Sequence, residues 1–424
     1  MQTKQQKLMA SIWKSSSIIF LLTGLLFSCG GTKKLNEFDI ADGYQVSGLN
    51  NEMDVAFHSI NDSITNLVIK INPDDLLFSK TQTNNHIARY TIGYKVFESY
   101  NDRLAIDTAK IYYSLKQEKK PEFKFHRIKI LAQKGNDYIV KVTINDENRN
   151  FSTSKIFNLR KKSEFSRSFF EISTNNIENN NYTTFQKDSF SIKPLNNQTF
   201  TKVQVFSAKN TCTAKPHEVN YKYHFGGIPD TSWIVNLNSN SAFPPLKDQY
   251  YHFITDTVKN IGFSVFTFKN TFPKLSSIIQ ANGALGYLLN KSEYADLLKS
   301  ANPRKAFENA WLELAGNRQR ARNIIKAFYT EVSSANQLFT CNEPGWSTDR
   351  GMIYIVYGPP RIVYRNNDSE IWIYGEENNL FSEEFQFRKI HSNISDNIYE
   401  LKRNINYKVN YNRMINAWID ERGY

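Results

Sequence analysis

Ala88-Arg89-Tyr90-Thr91-Ile92-Gly93-Tyr94-Lys95-Val96-Phe97 sets Ala, Tyr, Ile, Tyr and Val at even positions against Arg, Thr, Gly and Lys at odd ones. A period of two places the first set on one face of a β-strand and leaves the second to the other. The same reading extends outward to Thr65–Ile71, Ala105–Tyr113, Phe123–Ile130, Asp137–Ile144 and Ser152–Phe157. About seven such strands between Tyr44 and Lys161, with polar turns between them, predict an immunoglobulin-like sandwich over residues 44–165.

Residues 162–198 are polar and rich in asparagine around Thr174–Asn181, and read as a joint. Strand patterns resume at Phe200–Phe206, Tyr221–Phe225, Tyr250–Ile254 and Phe263–Phe268, predicting a second, smaller β domain over 166–270. The period then changes. Asn302-Pro303 offers an N-cap followed by Pro, and Gly316 a stop, with Ala306, Phe307, Ala310, Trp311 and Leu314 on one face between them. A second helix over about 319–338 is expected to bury Ile324, Ile325, Phe328, Tyr329, Val332 and Ala335. Arg318, Arg320, Arg322 and Lys326 near its start oppose the helix dipole and call for partners, with Glu308, Glu313 and Glu331 as nearby candidates. The predicted fold is mainly β with a C-terminal α+β part: two immunoglobulin-like sandwiches, then a helical segment and a small antiparallel sheet in residues 271–424.

Ahead of this body, Lys4, Lys7 and Lys14 precede the largely apolar run Ile18–Phe27. A spanning helix needs about 20 apolar residues, so a run this short after a basic start reads as a signal peptide over residues 1–28. Leu26-Phe27-Ser28-Cys29-Gly30 resembles the lipobox of bacterial lipoproteins. The resemblance implies diacylation of the Cys29 thiol, cleavage before it and a lipidated tether over 29–43. Several acyl chains on one residue hold a protein stably at a membrane. By analogy with lipoprotein sorting, Gly30 in place of Asp and the non-acidic Gly30–Lys34 lead the resemblance to imply the outer membrane, with the body expected to face the periplasm.

The chain has 53 Lys and Arg against 41 Asp and Glu, and the signal holds three of the lysines, so the exported part stays near +9. Export turns that surplus toward anionic head groups or acidic proteins, and nucleic acid is not an expected partner. Cys212 and Cys341 are the remaining cysteines, and an oxidising compartment permits a disulfide between them.

After the long helix comes Glu343-Pro344-Gly345-Trp346-Ser347-Thr348-Asp349-Arg350-Gly351-Met352-Ile353-Tyr354-Ile355-Val356-Tyr357-Gly358-Pro359-Pro360, followed by Glu370-Ile371-Trp372-Ile373-Tyr374. Gly345, Trp346, Thr348, Asp349, Arg350 and Gly351, then Gly358, Pro359 and the Trp372/Tyr374 pair, resemble the GWxTD domain of bacterial secreted and envelope proteins, over about residues 290–390. That resemblance implies a fold and carries no established chemistry. The residues themselves predict a turn at Pro344-Gly345 with Gly at positive φ, a Trp346 anchor on the preceding helix, and local side-chain bonds from Thr348 and Asp349. Arg350 is expected to pair with Asp349 or Glu370. Met352–Tyr357 reads as a strand stopped by Gly358-Pro359-Pro360, with Ile371–Tyr374 as its neighbour and Phe381–Ile390 as a third strand. The strand, Gly-x-Pro turn and Trp-x-Tyr order is also similar to small lipoproteins of the outer-membrane β-barrel assembly machinery.

No nucleophile elbow, phosphate loop or dinucleotide fingerprint occurs. The histidines at 58, 86, 126, 217, 224, 252 and 391 lack metal-ligand spacing, so neither a metal nor a cofactor is expected. Two readings follow. The first is a membrane-anchored, non-catalytic component of an outer-membrane or secretion complex, with an envelope protein as partner. The second is a glycan binder or glycan-processing protein using Trp346, Thr348, Asp349, Arg350, Glu370 and Trp372, with Asp349/Glu370 or Glu383-Glu384 as carboxylate pairs.

Overall fold

The computed structural model describes residues 34–46, 53–82, 84–118, 122–174, 177–178, 183–185, 189–207, 211–222, 227–237, 242–246, 249–268 and 271–420. The signal segment and Cys29 lie outside them, as does His224. The protein is mainly β, with a C-terminal helical segment and small sheet.

The first sandwich stacks an antiparallel sheet of Asp54–Ser59, Ile64–Ile71 and Lys124–Leu131 on a second of Ser79–Lys80, His86–Phe97, Asp107–Lys116, Asp137–Asp146 and Phe151–Arg160. The alternation works as read. Leu67, Ile69 and Ile71 meet Ile92, Val96, Val140 and Val142 in one apolar core, each contributing roughly 1.5–3 kcal/mol by leaving water.

The second sandwich pairs a sheet built on Phe170–Thr174, Phe190–Pro194 and Ala242–Phe243 with one built on Phe200–Ser207, Thr231–Asn236, Gln249–Asp256 and Ile261–Phe268. Its core is aromatic, with Phe170, Phe190, Phe243, Tyr251, Phe253 and Phe263 in contact. The stretch 162–198 is therefore more than a joint: Phe170–Thr174 and Phe190–Pro194 pair with each other, Ile172 opposite Ile192. Five-residue arms flanking an asparagine-rich stretch carry too few alternations to register. Thr231–Asn236 is exposed at five of its six positions, so it shows no apolar face. Of the expected Tyr221–Phe225 strand, Tyr221 and Lys222 are not in a strand and the rest lies outside the described residues.

The C-terminal part begins with α1 (Ile278–Leu285), α2 (Lys291–Lys299), α3 (Pro303–Ala315) and α4 (Arg318–Phe339). Asn302 caps α3 ahead of Pro303, and Gly316 ends it at φ +75° as expected. Then come α5 (Asp349–Tyr357), a sheet of Ile362–Arg365, Ser369–Tyr374, Glu383–Lys389 and Tyr399–Leu401 in chain order, and α6 (Tyr407–Asp420). Arg320 finds its partner at the end of α6, donating to the Ile419 carbonyl (2.5 Å) and pairing with Asp420 (3.6 Å), a cation at a helix C-terminus. Glu308 pairs with Arg304 instead.

Met352–Tyr357 was expected as a strand and is the body of α5. Residues 349–356 are all buried, and a helix enclosed on every side has no polar stripe to betray its period. The segment expected as a tether is docked from Lys34 onward. Leu35 and Asn36 amides donate to the Asp102 and Tyr100 carbonyls, the Ile40 amide to Val363, and Ala41 and Tyr44 join the C-terminal core. Cys212 and Cys341 are not joined in a disulfide. No helix of the described residues is long and apolar enough to cross a membrane.

Candidate functional site

Thr348 organises the motif locally. Its hydroxyl donates to the Gly345 carbonyl (2.8 Å) and accepts from the Gly351 amide (3.0 Å), capping α5 while closing the turn before it. Gly345 was expected at positive φ, and neither it nor Gly351 is. They are required by contact: a Cβ on Gly345 would stand 2.0 Å from the Ala335 carbonyl oxygen of α4, and one on Gly351 1.9 Å from the Gly345 carbonyl. The turn thus lies directly on α4. Trp346 is fully buried there, its amide donating to Asn336 Oδ1 (3.1 Å) and its carbonyl accepting from the Tyr287 hydroxyl (2.8 Å). Trp346 borders a cleft shared with Tyr250, Leu275 and Cys341. Burial pushes the Cys341 thiol up to about 12, which keeps it protonated.

Asp349 is 1% exposed, and its two oxygens hold four donors. Oδ1 accepts from Thr213 Oγ1 (2.7 Å) and Arg403 Nη2 (2.6 Å); Oδ2 accepts from the Leu401 amide (2.7 Å) and Arg403 Nη1 (3.0 Å). A bidentate guanidinium plus two further donors saturates a carboxylate. The partners come from the stretch between Phe200–Ser207 and Thr231–Asn236, from the end of the last strand and from Arg403 just beyond it.

Arg350 does not pair with Asp349. Its guanidinium donates to the Asn397 side chain and to the Asn397 carbonyl (2.9 Å), lies 4.0 Å from the Tyr399 ring centre, and reaches Glu370 Oε2 at 3.5 Å. Glu370 is wholly buried. Oε1 accepts from the Tyr44 hydroxyl (2.5 Å) and Trp372 Nε1 (2.6 Å), and Oε2 from Arg365 Nε (2.8 Å). Burial alone would raise the Glu370 carboxyl. Arg365, Arg350, and the Tyr44 and Trp372 donors reverse that and hold it at about 2. Arg365 also donates to the Tyr44 hydroxyl (2.5 Å), and burial together with Glu370 pushes that phenol well above the usual tyrosine range.

Of the residues singled out from sequence, Arg350, Glu370 and Trp372 come together in one cluster. Asp349 anchors a second, and Trp346 and Thr348 hold the turn between α4 and α5. Asp349 and Glu370 share no hydrogen-bond partner, and Glu383 and Glu384 lie at the start of a neighbouring strand. Sequence reading missed Arg365, Arg403, Tyr44, Thr213 and Asn397. Arg365 was within reach, because Asn366–Asp368 makes a hairpin that sets it opposite Glu370. Thr213 and Arg403 carry no local signal. Among the described residues no group of histidine, cysteine or carboxylate side chains could hold a metal ion.

Residues 249–420 match the family model of the GWxTD domain, so the match extends beyond the motif stretch into the last strands of the second sandwich and through α6. No curated protein matches the chain.

Proposed function

We propose that this GWxTD-domain protein is a membrane-anchored, non-catalytic component of an outer-membrane or secretion assembly, in which the domain ties the β-rich body to the lipid-bearing end of the chain. The observation that carries this reading is the saturation of Asp349 and Glu370 by partners from distant parts of the chain. Both carboxylates serve as ties. The segment after Cys29 enters the same network through Tyr44, so a pull on an anchor at Cys29 would be felt first at Asp102 and Tyr100, then at Val363, and then at Glu370 and Arg365. From Cys29 to Lys34 is five residues, a span of at most about 18 Å, which would hold this domain close to the membrane.

A partner needs a surface, and the hairpin between Ser369–Tyr374 and Glu383–Lys389 presents one. Leu380 and Phe381 at its tip are 99% and 95% exposed. The loop is held in shape by Ser382 Oγ donating to the Glu376 carbonyl (2.7 Å) and the Phe381 amide to Asn379 Oδ1 (2.9 Å). Adjacent large apolar side chains on an ordered tip are characteristic of a contact surface. The test is a photo-crosslinking residue at Phe381 in intact cells, followed by solubilisation in mild detergent. A discrete adduct with another envelope protein is expected; recovery of free monomer alone overturns the reading. The glycan reading requires Trp346, Asp349, Arg350 and Glu370 to face a ligand, and all four are at most 2% exposed.

A further inference from the structure

Ala88, Tyr90, Ile92, Tyr94 and Val96 fill the core of the first sandwich, so the residues between them in His86–Phe97 face away from it. The register extends that outer face across three strands. Lys95 stands between Thr108 and Lys141, Gly93 between Lys110 and Thr143, and Thr91 between Tyr112 and Asn145. Arg89 lies opposite Ser114, and Lys116 opposite Ile87. These rows hold Arg89, Lys95, Lys110, Lys116 and Lys141 and no carboxylate. Lys95 and Lys141 are direct cross-strand neighbours, a placement that like charges disfavour. Burial first, and then Lys95, hold the Lys141 ammonium below the lysine range against the pull of Asp42. Among the described residues none of these cations enters an ion pair. Lys141 lies instead over the Phe38 ring (4.9 Å) and Lys110 over the Tyr112 ring (5.1 Å). Lysines on an edge strand guard against edge-to-edge pairing, which accounts for Lys110 and Lys116. It does not account for Arg89 and Lys95, whose strand is paired on both sides.

Exposed apolar groups accompany the charge. Tyr112 is 67% exposed on this face, and Leu104 and Ile106, just before its strand, are 76% and 45% exposed. The N-terminal segment crosses the same sheet, with Leu35 packed on Phe97, Ile139 and Ile156. Lys34, beside Leu35, is five residues from Cys29, a span of at most about 18 Å. We propose that this face lies against an anionic lipid surface, with Arg89, Lys95, Lys110, Lys116 and Lys141 toward the phosphates and Tyr112 at head-group level. The inference rests on the anchor at Cys29 proposed above, which would bring a bilayer within reach of these cations. That nearness, and the exposed Leu104, Ile106 and Tyr112, favour lipid over an acidic protein.

Flotation with vesicles tests this on residues 30–424, which keep every described residue and omit the lipid. Vesicles of phosphatidylglycerol mixed with phosphatidylcholine are compared with phosphatidylcholine alone. Binding to the anionic vesicles at low salt, and its loss at high salt, is expected. Lys95→Gln combined with Lys110→Gln should weaken it about fivefold for each charge removed. Arg322→Gln combined with Lys326→Gln removes the same charge from the exposed side of α4 and should leave binding nearly unchanged. Equal losses in the two double variants, equal flotation on neutral vesicles, or no flotation on anionic ones overturns the proposal. The last result is also the one expected if the face serves an acidic protein. The mass of the wild type extracted from membranes is a separate readout: an unmodified Cys29 overturns the anchor reading and leaves flotation unaffected.

Discussion

The first sandwich and the C-terminal domain both fill their centres with apolar side chains, yet they differ in how they bury charge. In the sandwich Asp146 accepts from the Leu77, Asn148 and Arg149 amides, and Lys161 donates to the Asn61 and Ala132 carbonyls and the Thr65 hydroxyl. The C-terminal domain instead sets buried ions against one another. The sandwich core is a continuous set of aliphatic and aromatic residues, from Leu67 and Ile69 across to Val140 and Ile144. The C-terminal domain encloses Asp349, Arg350 and Glu370 at 1%, 2% and 0% exposure alongside Trp346 and Trp372. Apolar burial is non-directional and forgiving, whereas a buried charge demands a particular partner in a particular place. The sandwich therefore specifies a layer, and the motif specifies which distant segments must meet.

That contrast has a pH signature. Glu370→Gln leaves Arg365 and Arg350 without their shared carboxylate and is expected to destabilise the protein by about 3–5 kcal/mol near neutral pH. The folded carboxyl sits at about 2 against an ordinary 4.5. Its contribution is thus fully present above about pH 4.5 and fades as pH falls through about 2. Ile92→Ala in the sandwich should lose about 2–5 kcal/mol with no such pH dependence. Urea denaturation of both variants between neutral pH and acid separates the two. Parallel pH profiles would remove the distinction.

Smaller effects sharpen it. Gly345→Ala should cost about 1–3 kcal/mol by overpacking against the Ala335 carbonyl, read as a lowered Tm. An unchanged Tm would mean that the turn does not lie on α4 as described. Tyr44→Phe keeps the ring and removes the hydroxyl shared by Glu370 and Arg365, at about 1–2 kcal/mol. Faster hydrogen exchange at Ile40, whose amide donates to the Val363 carbonyl, is the expected sign that the N-terminal segment is held by that phenol.

The same contrast explains what could be read in advance. In the strand His86–Phe97 each residue's face follows from its neighbour two positions away, so the sandwich was legible from Ala88–Phe97 outward. The helix α3 was legible because its caps, Asn302-Pro303 and Gly316, are local. The segment Met352–Tyr357 misled because it is apolar throughout, and an enclosed helix and an enclosed strand look alike when no polar face marks the period. The motif residues were recognisable as a set, but their roles depended on Thr213, Arg403 and Tyr44. These lie 136, 54 and 326 positions from the carboxylates they bind. Spacing along the chain holds no trace of such pairings.

The most direct test of the view that the motif's carboxylates are ties is a double-mutant cycle between Asp349 and Arg403. Asp349→Asn, Arg403→Gln and the double variant would be compared with wild type by urea denaturation. A coupling of about 1–3 kcal/mol, with each single variant still cooperative but weakened, is the expected result. Additivity within about 0.5 kcal/mol would contradict it, leaving Asp349 free for a role other than holding the chain together.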